Sequence, residues 1–141
     1  MAKWIKRFAV GLIALFIVVQ IVPVARVNPT KRGQPPAPRE VQAVLQRACY
    51  DCHSNETRWP WYSRVAPVSF LIARDVTEGR SELNFSTWSQ YNERRKTRKL
   101  KEIAEQVEKG KMPQWYYVSL HPEAKLSAAD RELIIKWARR S

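Results

Sequence analysis

Residues 38–53, PREVQAVLQRACYDCH, run an amphipathic helix into a chemical motif. Val41, Val44, Leu45 and Ala48 recur at i, i+3, i+4 and i+7, one face of an α-helix, and Pro38 suits its first turn. Such a helix delivers Cys49 at its C-terminal end. Cys49-Tyr50-Asp51-Cys52-His53 then matches C-x-x-C-H, the attachment signature of a c-type haem. Two thiols three positions apart can form thioethers to the vinyl groups on one edge of a porphyrin. The residue that follows places an imidazole under the iron as its proximal ligand. The chain holds only 2 cysteines, so the motif uses both. The expectation is one covalently bound haem c, with its iron, held by Cys49, Cys52 and His53.

Three other readings of the pair compete. A zinc site needs four ligands, and only Cys49, Cys52, His53 and His121 are on offer, two of them adjacent. A thioredoxin-like redox pair expects a βαβ setting, and no strand pattern is visible. A plain disulfide across so tight a loop is the third.

Outward from the motif the pattern stays helical. Leu100, Ile103, Ala104 and Val107 repeat the same spacing, and Gly110 is placed to stop that helix. Ser127 with Asp130 resembles a capping box, ahead of Leu133, Ile134 and Trp137. A shorter helix is expected from about Pro67 to Arg74, on Val68, Leu71 and Ile72. The fold class is all-α.

Residues 8–25, FAVGLIALFIVVQIVPVA, carry no charge, and Lys3, Lys6 and Arg7 precede them. A helix of that length spans roughly 27 Å, enough for the hydrocarbon layer. Residues 1–25 are therefore expected to form a single transmembrane helix with its basic end in the cytoplasm. A cleaved signal peptide is the competing reading, but Val22-Pro23-Val24-Ala25 lacks a small-x-small exit. Residues 26–37, with Pro29, Pro35, Pro36 and Gly33, look like an extended spacer. Residues 38–141 are then the folded domain. The net charge of +12 divides into +6 for residues 1–37 and +6 for the rest. A basic domain suits acidic partners or an anionic surface; nucleic acid is not expected, since no motif for it is present.

The runs CYDCHSNETRWPWYSRVAPVSF, GRSELNFSTW, GKMPQWYY and HPEAKLSAADRELIIKWA resemble the bacterial haem-binding domain family of small cytochrome c-like proteins, over roughly residues 38–141. The resemblance implies a cytochrome c-like helical domain and a membrane-associated or periplasmic haem protein. With the apolar N-terminus, it places the chain in the bacterial inner (cytoplasmic) membrane as a single-pass protein, its haem domain on the periplasmic side.

Lys111-Met112-Pro113 is similar to the distal-methionine pattern of class I cytochromes c, and Met/His coordination raises a haem's reduction potential. Met112 is the expected sixth ligand; His121 and an open position are the alternatives. Trp59, Trp61 and Tyr62 are candidates for the haem pocket, against a role as ordinary core aromatics; Trp115, Tyr116 and Tyr117 divide the same way. The run Arg94, Arg95, Lys96, Arg98, Lys99 and Lys101 reads as a solvated helix face or as a docking surface for an acidic redox partner protein. The expected function is one-electron transfer, without enzyme activity. A sensor or peroxidase-like protein with an open sixth position is the alternative, and a structural or assembly role is a third. Oligomeric state is not legible.

Overall fold

The computed structural model describes residues 2–140, which contain seven α-helices, three 3-10 turns and no strand. The helices are α1 (Ala2–Gln20), α2 (Arg39–Ala48), α3 (Tyr50–His53), α4 (Val68–Glu82), α5 (Glu93–Glu108), α6 (Trp115–Leu120) and α7 (Ala128–Arg140). Met1 and Ser141, the outermost residues of the expected first and last segments, lie outside the described residues.

The apolar stripes of α2, α5 and α7 meet in one core. Val41, Val44, Leu45 and Ala48 of α2 bury against Leu100, Ile103, Ala104 and Val107 of α5 and Ile134, Trp137 and Ala138 of α7. Each large side chain so buried contributes about 1.5–3 kcal/mol. Phe85, Trp88 and Tyr91, around a 3-10 turn at Phe85–Gln90, close the core beside the motif. Asn92 caps α5 by accepting from Arg95 N at 2.9 Å. Gly110 ends it at φ +65°, the left-handed position that glycine fills without steric cost. At the head of α7 the reciprocal bonds of the capping box form: Asp130 N donates to Ser127 Oγ, and Ser127 N to Asp130 Oδ2.

The membrane-spanning anchor expected over residues 1–25, and the single-pass inner-membrane location that rested on it, are corrected here. Among the described residues no helix is long and apolar enough to cross a membrane. Lys3, Lys6 and Arg7 occupy the first two turns of α1, and the helix stops at Gln20, short of Pro23. Phe8–Gln20 therefore gives only about 20 Å of uncharged helix, against a hydrocarbon core of about 30 Å. An uncharged run of sequence overstates the helix it can form when a proline cuts it short.

The segment 26–37 is extended, as its prolines dictate, but it is pinned along the domain. Arg26 donates to Ser63 O, Asn28 to Thr57 O, and Arg32 N to Ser86 O. Pro35 is buried, and Trp137 Nε1 donates to Pro36 O at 3.2 Å. Gln20 fixes the end of α1 by pairing its amide with both Ala66 N and Ala66 O.

Candidate functional site

Cys49 ends α2 and begins α3. From there a single helical turn follows, with His53 N donating to Cys49 O at 2.9 Å. Positions i, i+3 and i+4 share a helix face, so this turn puts Cys49, Cys52 and His53 on one side. The other side is core: Tyr50 is buried and stacks on Phe85 at 5.2 Å. Both cysteines are half-buried and unbridged, and burial pushes each thiol up to about 12. Among the described residues no cluster of three or more His, Cys, Asp or Glu is placed to hold a metal ion directly.

His53 is set by the last turn of α4. Its Nδ1 lies 2.9 Å from Gly79 O and 3.2 Å from Leu83 O. Carbonyls only accept, so Nδ1 carries the proton and Nε2 is left with its lone pair. Burial lowers the histidine's pKa, which keeps the ring neutral. A neutral imidazole oriented through one nitrogen is a metal ligand in waiting at the other. This fit needs α4 very close: a Cβ on Gly79 would stand 2.5 Å from Cys52 O.

Asp51, the third residue of the motif, is buried and fully engaged. It accepts from Arg58 N at 2.9 Å, from the Arg58 guanidinium at 3.2 Å, and from Tyr117 Oη at 2.7 Å. Arg80 ties the loop after the motif to the N-terminal strap, donating to Ser54 O, Val27 O, Asn28 Oδ1 and Thr57 Oγ1.

The remaining candidates are distributed around this turn. Trp59 is half-buried, and its Nε1 is a buried donor without a protein acceptor. Trp61 is 77% exposed, so it does not act as a core aromatic. Tyr62 donates to His121 Nε2 at 2.5 Å, while His121 Nδ1 faces Glu123 at 3.1 Å. Met112 is half-buried in the loop between α5 and α6. α6, which that loop enters, reaches the motif through tyrosines: Tyr117 binds Asp51, and Tyr116 donates to Asp75 of α4 at 3.0 Å. Burial and the Asp75 bond raise Tyr116 to about 12. Trp115 is 79% exposed, and Val68, Phe70 and Leu71 of α4 also face outward.

Sequence reasoning missed Gly79, Arg80, Asp75 and the role of Asp51. Gly79, Arg80 and Asp75 carry no periodicity or motif, and Asp51 fills a variable position of one; each matters through a contact with a residue far along the chain.

Two thiols and a preset imidazole on one turn, beside outward-facing aromatic and aliphatic side chains, define a helical protein suited to a flat apolar ring that carries a metal. The chain belongs to the haem-binding domain family, whose model matches residues 14–140. No curated protein and no solved structure matches it. Haem binding and an all-helical fold thus stand.

Proposed function

We propose that the chain holds one haem through thioethers to Cys49 and Cys52, with His53 Nε2 and Met112 as axial ligands, and serves as a one-electron carrier rather than an enzyme. The observation that carries this reading is the His53 Nδ1 bond to Gly79 O on the same turn that presents both thiols. When bound, the haem supplies an iron that alternates between ferric and ferrous states. The protein's part is to orient: α4 fixes the imidazole plane, and α2 and α3 fix the thiols. Trp59 Nε1 is a buried donor suited to a haem propionate, since such a donor otherwise costs about 1–3 kcal/mol. His121 is a poor rival for the sixth position, because Tyr62 and Glu123 occupy both its ring nitrogens.

An acidic redox protein is the proposed partner. The basic run on α5 supports it only in part. Lys96, Arg98 and Lys99 pair with Glu93 and Glu102, and Arg95 lies over the Tyr91 ring at 4.0 Å. Arg94 and Lys101 are exposed cations of that run, as are Arg95 and Arg98, while Lys99 is buried.

A second reading, a sensor with a displaceable sixth ligand, is favoured by one observation: α6, downstream of Met112, buries no residue. Two measurements test the proposal. Haem should resist extraction by acidified organic solvent, and Met112→Ala should abolish a sulfur-to-iron charge-transfer band. Extractable haem overturns the thioethers. A spectrum indifferent to Met112→Ala overturns the distal ligand, and rapid carbon monoxide binding by the native ferrous form favours the sensor.

A further inference from the structure

α6 is held unlike any other helix of the domain. None of its side chains is fully buried and only the half-buried Tyr117 packs against the core, so little hydrophobic energy keeps it in place. Its attachments are polar and converge on the haem site from three elements. Tyr117 donates to Asp51 inside the C-x-x-C-H motif at 2.7 Å, Tyr116 to Asp75 of α4 at 3.0 Å, and Tyr62 to His121, the residue that ends α6. The Tyr117 ring also stacks on His121 at 4.3 Å. The same short helix begins three residues after Met112.

We infer that Asp51 and Asp75 are positioning residues that latch the Met112–α6 segment as a lid over the haem site. Asp51 is the hub. One carboxylate, lodged between Cys49 and Cys52, orders Arg58 at the start of the WPWY loop and Tyr117 on the lid. The motif and its cover are thereby tied to a single buried group. A second carboxylate, Asp75, fastens the neighbouring tyrosine to α4, on whose last turn His53 is oriented. Both latches are hydroxyl-to-carboxylate bonds, which are stronger than neutral ones. Opening them withdraws from the core only the half-buried Tyr117, so the lid moves at low cost while the rest of the fold stays closed. The inference rests on Met112 as the distal ligand for its spectral consequence, but not for the motion itself.

The test uses the haem-loaded protein. Imidazole entry to the ferric form is followed by stopped flow, and amide hydrogen exchange is followed across the chain. Tyr117→Phe keeps the ring that stacks on His121 and deletes only the hydroxyl; Tyr116→Phe does the same for the Asp75 latch. Each should raise imidazole entry on the order of tenfold, the effect of losing one charge-assisted bond. Each should also speed exchange in residues 112–120 while leaving α2, α5 and α7 at wild-type protection. Asp51→Asn, which keeps one acceptor and loses the ion pair with Arg58, should behave as Tyr117→Phe. Wild-type entry and wild-type exchange in Tyr117→Phe overturn the inference. So does faster exchange spread evenly over α5 and α7, the mark of a general loss of stability. If the charge-transfer band is indifferent to Met112→Ala, the distal-ligand reading fails, and the exchange pattern alone then decides the lid.

Discussion

Gly79→Ala sets two effects against each other, and the structure decides the sign. Inside a helix, replacing glycine by alanine gains roughly 1 kcal/mol from backbone entropy. At position 79 the added Cβ stands 2.5 Å from Cys52 O and 3.1 Å from Cys52 Cβ. Comfortable non-bonded separations begin at about 3.5 Å, so α3 and α4 must part by about 1 Å. The obstacle is a main-chain carbonyl in the motif itself, which cannot rotate aside as a side chain could. Overpacking of this kind costs about 1–3 kcal/mol; with a rigid main-chain obstacle the upper half of that range, about 2–3 kcal/mol, applies, and the net expectation is a loss of about 1–2 kcal/mol. The same retreat draws Gly79 O away from His53 Nδ1, stretching a 2.9 Å bond toward the limit of a hydrogen bond. Urea unfolding measures the first effect, provided the slope with denaturant is unchanged. The imidazole Nδ1 proton, seen by NMR as protected in wild type and exchanging in the variant, measures the second. A variant more stable than wild type, with its Nδ1 proton still protected, would refute the close-approach argument.

Three further outcomes are expected. Arg80→Lys keeps the charge but not the fork that reaches Ser54, Val27, Asn28 and Thr57; stability should fall by about 1–3 kcal/mol, and limited proteolysis should begin to cut residues 26–32. Trp59→Phe removes a buried donor without a protein acceptor; the haem-loaded form should lose about 1–2 kcal/mol of stability to urea and the haem-free form little, the reverse order counting against a propionate partner. Although burial pushes the Asp130 carboxyl up, bonds from Arg47 and Ser127 bring it down from an ordinary 3.8 to about 2. Its folded value being the lower one, the stability it contributes is complete above about pH 4 and fades as pH falls through about 2. Asp130→Asn should therefore cost roughly 1–2 kcal/mol near neutrality and progressively less in acid; a penalty independent of pH in chemical denaturation would contradict this.

The core was readable because its helices obey one rule. α2, α5 and α7 each bury a stripe at 3.6-residue spacing, and their stops are chemical: Gly110 at positive φ, Ser127 with Asp130 at a helix start. The C-x-x-C-H turn was readable because its spacing sets Cys49, Cys52 and His53 on one helix face. Legibility ends where a helix lacks a protein partner for its apolar face. α4 runs to Glu82, well past the expected Arg74, because its second half is fixed by contact with Cys52 and His53 rather than by a stripe. α6 fully buries no residue and is only six residues long, so it writes no stripe. Asp51 with Tyr117, and Asp75 with Tyr116, are 66 and 41 residues apart, and no local pattern announces such pairs. The N-terminal reading failed for a related reason. Hydropathy counts residues, whereas a span depends on how far the helix continues, and α1 ends at Gln20.

The pinned strap gives α1 a fixed bearing. From Gln20 on Ala66, through Arg26 on Ser63 and Asn28 on Thr57, to the Arg80 fork, each link fastens onto the chain between the haem motif and α4 or onto α4 itself. A free spacer would let the domain swivel about its N-terminal helix. Here the side carrying Trp61 is locked in azimuth to α1, so whatever engages that helix also aims the haem. If the chain carries electrons as proposed, transfer is oriented before any partner arrives; lengthening the segment 21–25 should leave the Gln20 link and that aim intact, whereas Gln20→Ala should let α1 swivel.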